Sequence, residues 1–392
     1  VPQPLLDVIA AASVPRWAEL EPQGVANIAW SFAALCCTHT PLLDALSSAA
    51  VARIVDFSVQ NLSNTAWALA TLDFWDEPLL HVLAGEVMRK IDVYNVQGLA
   101  NTSWAFARLA FVDRPLLDAM ADRSVNTIAE FQPQNLTNIA WAWATLEIVD
   151  VPLLDAISWE SIAKISAFGT QNLSNTAWAF ARIRVSNSEP LMDAISTASL
   201  ATMTAFDPQS LANLAWACAR CCKNDRPLLA SISAASLRTL RQFADQNLTN
   251  TAWAVAPLAM QDMPLMDAIS APALLRIATF DSQHLGNMVW ACATLLVHHQ
   301  PLLEAISCAT LPRITSFNMQ ELANTAWAFA MLEKWDQPLL SAISTAALAR
   351  DWSAASSPWQ PFLDCCDVLS LDEACKRVLR RPVQEFARRA CP

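Results

Sequence analysis

Three side-chain types recur at fixed spacing along the 392 residues: a glutamine, an asparagine four positions on, and a tryptophan three further. The glutamines stand at 23, 60, 97, 134, 171, 209, 246, 283 and 320, so the step is 37 residues with a single step of 38. The asparagines are Asn27, Asn64, Asn101, Asn138, Asn175, Asn213, Asn250, Asn287 and Asn324. The tryptophans are Trp30, Trp67, Trp104, Trp141, Trp178, Trp216, Trp253, Trp290 and Trp327. An amide presents a donor and an acceptor together, and an indole adds a flat apolar face with one N–H. Repeated in every unit, this set can hold bases or an extended peptide by stacking and hydrogen bonding. It can equally be structural, with the amides on backbone groups of the adjoining turn or unit and the indoles filling the groove between units.

A group identical in every unit holds a ligand without telling one position from another, so any sequence reading must come from a variable neighbour. The residue four after each Trp varies: Thr71, Arg108, Thr145, Arg182, Arg220 and Thr294 are candidate base contacts, beside Ala34, Pro257 and Met331. A second ladder is cationic. Twelve residues after each repeat proline stand Arg16, Arg53, Lys90, Lys164, Arg276, Arg313 and Arg350, with threonine at 127, 202 and 239. One cation per unit along one edge is the spacing needed to track a phosphodiester backbone. The competing role is complementing the C-terminal dipole of the helix on which each cation sits.

Composition excludes several chemistries. The chain is 54% apolar and 16% charged, which is a folded composition, and its 25 basic against 36 acidic residues give a net charge of −11. Five glycines leave little material for phosphate-cradling loops or for turns with positive φ. Mean hydropathy is +0.28, yet polar residues or proline interrupt every apolar stretch short of a membrane span, so no membrane partner is expected. Eleven cysteines in apolar helical context do not read as a secreted disulfide framework. Cys218, Cys221 and Cys222 share a helix face, but no second ligand pair follows at metal-finger spacing, and five scattered histidines suggest no catalytic centre. The expectation is a non-enzyme with no cofactor and no metal.

These residues need a scaffold that repeats with them. Pro-Leu-Leu/Met begins at 4, 41, 78, 115, 152, 190, 227, 264, 301 and 338, and proline suits an early helical position. Each unit therefore reads as a hairpin: helix A from the proline to an aromatic such as Phe57, and helix B from about the glutamine to five residues past the tryptophan. Pro272 and Pro312 predict a split helix A, with Ser270 capping the second piece. At 100° per residue Leu62, Ala66 and Leu69 share one face of helix B, while Gln60, Asn64, Trp67 and Thr71 share another. Helix pairs of this length stack into an α-solenoid. The expected fold is all-α, a solenoid of about nine 37-residue helical-hairpin repeats over 1–350. Residues 351–392 then form a connector and a basic capping helix.

The motifs QNLSNTAWALA at 60–70 and DPQSLANLAWA at 207–217 resemble the octotricopeptide and heptatricopeptide repeats of organellar RNA-binding proteins. They are also similar to the helical-repeat domain of the sixth protein of the RNA-editing substrate-binding complex and to repeats that precede RAP domains. The resemblance covers residues 4–350. It implies single-stranded RNA as ligand, roughly one nucleotide per repeat, and protein partners in an organellar RNA-processing complex. It further implies a role in RNA processing, stability, editing or translation, in the mitochondrion or chloroplast. The alternative reading of the same residues is an armadillo-like scaffold gripping an extended peptide through the Asn/Trp ladder.

Overall fold

The computed structural model describes residue 8 and residues 20–185, 188–221, 223–257, 263–334 and 336–349, and among these every regular element is helical. In the first compact unit, Val1–Ala198, run α1 Pro22–Ala34, α2 Thr40–Arg53, α3 Val59–Thr71, α4 Glu77–Arg89, α5 Val96–Arg108, α6 Arg114–Asn126, α7 Pro133–Thr145, α8 Val151–Ala163 and α9 Thr170–Ile183. Helix α10, Glu189–Thr202, crosses the border. The second unit, Ser199–Pro392, continues with α11 Pro208–Arg220, α12 Arg226–Thr239, α13 Asp245–Val255, α14 Met263–Arg276, α15 Ser282–Thr294, α16 Gln300–Thr310, α17 Met319–Met331 and α18 Gln337–Leu348. Odd-numbered helices are the B helices and even-numbered ones the A helices. This is the all-α solenoid architecture that the 37-residue step implies. Arg16, Arg350, the loop residues 186–187 of the 38-residue unit and the whole of 351–392 lie outside the described residues.

Among the described residues, seven A helices start on a cap that stands two residues before the proline. Asp76, Asp113, Asp150, Asp225 and Asp336 accept from the N–H three residues on at 3.0–3.1 Å, and the Nδ1 atoms of His39 and His299 do the same at 3.1 and 3.2 Å. A cap of this kind stabilises by about 1 kcal/mol. Two of the histidines that looked unrelated therefore share one repeat position and one job. Helix A then tightens into a 3₁₀ turn, Ile54–Asp56 in the first complete unit, and ends on a buried aromatic: Phe57, Tyr94, Phe131, Phe168, Phe206, Phe243, Phe280 or Phe317.

The split of helix A is thus general and falls after the cationic position, not at the prolines. Pro272 sits inside continuous α14, and Ser270 caps nothing: its hydroxyl donates back to the Met266 carbonyl at 2.8 Å. Only at Pro312 does the ring alter the break, where the 3₁₀ segment lengthens to Leu311–Ser316.

Helix B is capped from either side of its first turn. Asn61, Asn135, Asn172 and Asn247 reach back to accept from the N–H three residues earlier, while Asn95, Asp207, Asp281 and Asn318 accept from the N–H three residues later. At its other end the residue six after the Trp is left-handed in all seven units where it is described: Cys36, Asp73, Ala110, Glu147, Arg184, Leu296 and Glu333, with φ of 49–57°. Around Asp73 the Phe74 N–H donates to the Leu69 carbonyl and Asp73 to Ala70, a Schellman ending. The glycine count suggested few positive-φ turns; the chain makes one in nearly every repeat without glycine.

Packing follows residue size. Within each unit successive B helices (α1, α3, α5, α7, α9; α11, α13, α15, α17) lie against one another more closely than successive A helices do. Ala66, Ala68, Ala70, Ala105, Ala140, Ala217 and Ala291 are buried at 1% exposure or less and keep those axes near.

Candidate nucleic-acid interface

Close B helices bring their repeated side chains into register. Indole centroids of consecutive repeats lie 6.1 Å apart for Trp30–Trp67, 6.3 Å for Trp104–Trp141, 6.2 Å for Trp216–Trp253, 5.8 Å for Trp253–Trp290 and 6.4 Å for Trp290–Trp327, with planes inclined by 27–34°. Two stacking gaps need about 7 Å, so a base cannot slide between these paired rings; it must lie against their open edges.

The ladder is neither buried nor free. The glutamines are exposed, and the asparagines from Asn64 to Asn324 are half-buried, as are Trp67, Trp104, Trp141, Trp178, Trp216 and Trp253. Trp290 and Trp327 sink to 7% and 6% exposure. In the first unit the stripe lines a groove of about 280 Å³ walled by Trp67, Asn101, Trp104, Gln134, Thr137, Asn138, Trp141, Gln171 and Asn175. None of the nine carries a charge, on a chain with 36 carboxylates. The amides are partly knitted together, since Gln134 donates to Asn138 at 2.9 Å and accepts from Asn172 at 3.3 Å. Thr137 was not anticipated in this wall: it stands one residue from the regular stripe and shares a 3.1 Å hydrogen bond with Thr176 of the next repeat.

The cationic ladder is engaged elsewhere. Lys90 donates to the carbonyls of Val55 (3.0 Å) and Phe57 (2.5 Å), and Lys164 to those of Ala129 and Phe131, both at 2.7 Å. Arg276 donates to the Phe243 carbonyl at 2.8 Å, Arg313 to those of Phe280 and Ala278, and Arg53 to that of Leu20. Every acceptor lies 33 or 35 residues back, and from Val55 onward these acceptors sit at the 3₁₀ end of the preceding helix A, where carbonyls lack intrahelical partners. These five cations cap the previous repeat instead of standing free for phosphates. Carboxylates add to the arrangement: Glu86 meets Lys90 at 2.6 Å and Arg89 at 2.5 Å, and Glu160 meets Lys164 at 2.8 Å. The hydrogen bond from Arg89 holds the Glu86 carboxyl below the usual carboxylate range, with Lys90 adding to the effect. Where Thr127 replaces the cation, Arg123 one turn earlier reaches the Tyr94 carbonyl at 3.4 Å.

The variable rungs differ among themselves. Thr294 donates to the Trp290 carbonyl at 2.9 Å, and the buried hydroxyls of Thr71 and Thr145 have no hydrogen-bond partner among the described residues. Arg182 donates to the Ala144 carbonyl (3.0 Å) and to Glu147 (2.9 Å), and lies over the Trp178 ring at 5.4 Å. Arg220 is half-buried, and Arg108 is exposed. Burial pushes the Cys218 and Cys292 thiols up to about 12, which makes them core groups and poor metal ligands. Among the described residues no group of three His, Cys, Asp or Glu is placed to hold a metal ion, and no helix is long and apolar enough to cross a membrane.

Stacked helical hairpins that line a charge-free groove with amides and indoles define a helical-repeat protein of the solenoid class. The family model described as RNA-editing substrate-binding complex 6 protein matches the chain twice in tandem, over residues 3–151 and 152–300, together about three quarters of its length. The chain belongs to that family, and with it to the proteins of RNA processing. The family supports the mitochondrion among the organelles expected from sequence and lends nothing to the chloroplast. No curated protein matches. Among solved structures, the homology model of the full-length AP-3 complex in an intermediate open conformation is 10% identical. It covers 92% of this chain and 70% of that one at a TM-score of 0.42, too slight a likeness to bear on fold or function.

Proposed function

We propose that this protein is a non-catalytic subunit of a mitochondrial RNA-editing complex that holds single-stranded RNA along its B-helix face, roughly one nucleotide per repeat. The carrying observation is the groove in the first unit: nine lining residues, all amide, indole or hydroxyl, on a chain of net charge −11. The indole step of 5.8–6.4 Å exceeds the roughly 3.4 Å rise of a stacked strand, so RNA following it is drawn out and presents its bases singly. Each edge-on base–aromatic contact is worth about 0.5–1.5 kcal/mol, and summed over the repeats this offsets the poor electrostatics. Edge-on contact with the rings and bonding to Asn and Gln supply the grip; the variable rungs supply the choice.

Selection from a randomised single-stranded RNA pool at about 50–300 mM salt tests this. The wild-type chain is expected to enrich a motif, and Gln134→Glu combined with Asn138→Asp, which place carboxylates in the groove at unchanged shape, are expected to abolish retention. Wild-type protein that keeps no RNA even at the lowest salt would overturn the reading in favour of an extended basic peptide held by the same asparagines.

A further inference from the structure

Three variable rungs are arginines, and the structure does not leave them equally able to meet a ligand. Arg182 is committed on every side: to the Ala144 carbonyl, to Glu147 and to the face of Trp178. Arg108 occupies the same place in the α5 repeat, four residues after Trp104, yet it is exposed and its guanidinium makes no hydrogen bond or ion pair among the described residues. The repeats also differ by one methylene in a candidate partner. Glu147 stands 35 residues before Arg182, and the residue 35 before Arg108 is Asp73, which shares the left-handed turn position of Glu147 but has the shorter side chain. The pair that ties Arg182 is not made at Arg108. One helical turn separates Arg108 from Trp104, which lines the charge-free groove together with Asn101.

We propose that Arg108 is a specificity-determining residue, and that the α5 repeat reads guanine through it. This rests on the RNA reading above. A guanidinium offers two parallel N–H donors and no acceptor. Guanine alone among the bases sets two acceptors, O6 and N7, side by side on one edge; adenine pairs N7 with a donor amine. In an unpaired strand that edge is open. A base lying against the Trp104 edge, held by Asn101, places its outer edge toward the next turn of α5, where Arg108 begins. The threonine repeats have no such reach, since Thr294 bonds its own helix and the hydroxyls of Thr71 and Thr145 are buried. Arg182 is held away from ligand by Glu147 and supports its own repeat.

The test compares wild type, Arg108→Thr, Asp73→Glu and Arg182→Ala for motif and affinity. Threonine already occupies this rung at 71 and 145, and glutamate already occupies the turn at 147, so neither change asks the fold for anything new. The wild-type motif is expected to contain a guanine whose preference disappears in Arg108→Thr, with affinity for that RNA falling about tenfold, the scale of one bidentate pair. Asp73→Glu, which rebuilds the Glu147–Arg182 pair at Arg108, should erase the same preference, and Arg182→Ala should keep it. With 7-deazaguanine at that position wild type should lose as much as Arg108→Thr does, and the variant should lose nothing more; inosine, which keeps O6 and N7, should bind as guanine. An unchanged motif in Arg108→Thr overturns the proposal, as does an equal loss for all bases with no cost from 7-deazaguanine, which marks a phosphate contact. If wild type itself retains no RNA, the RNA reading fails first and this inference with it.

Discussion

Lys164 illustrates how a side chain read as a ligand contact can find partners inside the protein. In sequence it is a rung of an evenly spaced cationic ladder; in the fold it donates to two carbonyls of the preceding repeat at 2.7 Å. Hydrogen bonds from a charged donor contribute about 1.5–3 kcal/mol when buried, and partial exposure here brings that nearer 1. Lys164→Ala is accordingly expected to lower the unfolding free energy by about 1 kcal/mol, seen as a lower denaturation midpoint at an unchanged m-value, and to leave RNA affinity as it was. Loss of RNA binding at full stability would return Lys164 to the phosphate role. Glu86 makes a second prediction. Its folded pKa is depressed by Arg89 and Lys90, so its contribution is complete above the unfolded carboxylate value and fades as pH falls through the lower folded one. Stability measured between about pH 6 and pH 3 should therefore fall more steeply in wild type than in Glu86→Gln, and parallel curves would show that the pair does not matter.

At the scale of one helix, the turn after helix B and the glycines carry opposite lessons. Ala110 holds φ at 52°, a conformation that costs an L-residue about 1 kcal/mol and glycine almost nothing. Ala110→Gly should raise stability by roughly 0.5–1 kcal/mol, a gain that thermal unfolding would register as a higher midpoint. Gly85 lies exposed in the middle of α4, where an added Cβ meets nothing within 4 Å, so Gly85→Ala should also stabilise, by about 1 kcal/mol. Gly98→Ala should do the reverse despite the same gain in helix propensity. Its Cβ would come within 3.1 Å of the Tyr94 ring and 3.2 Å of the Ser63 hydroxyl. Equal effects of the two alanine substitutions would refute this packing account.

Across the whole chain, the distribution of charge shapes how RNA must be held. Seven phosphate contacts would give log K a slope near −5 against log salt, at about −0.7 per contact on a single strand. With five of those cations turned to carbonyls, binding through a neutral groove should show a slope no steeper than about −2. A slope near −5 in a salt titration would mean that the ladder leaves its carbonyls for phosphates.

The 37-residue step, the paired helices and the two faces of helix B were legible because periodicity is a local property: 3.6 residues per turn fixes which side chains share a face before any packing is known. Asp76, Asp113, Asp150, Asp225 and Asp336 were not read as caps from sequence, although each stands two residues before its repeat proline. Nor was the partner of each side chain legible. Whether Lys90 or Arg276 meets a carbonyl or a ligand depends on where the previous 3₁₀ turn ends, 33 residues away. Arg108 is exposed where Arg182 is tied, and sequence alone does not separate the two. Sequence by itself determined the repeat and its stripes; only the stacking of repeat on repeat decided which polar groups were satisfied within the protein and which were left facing the groove.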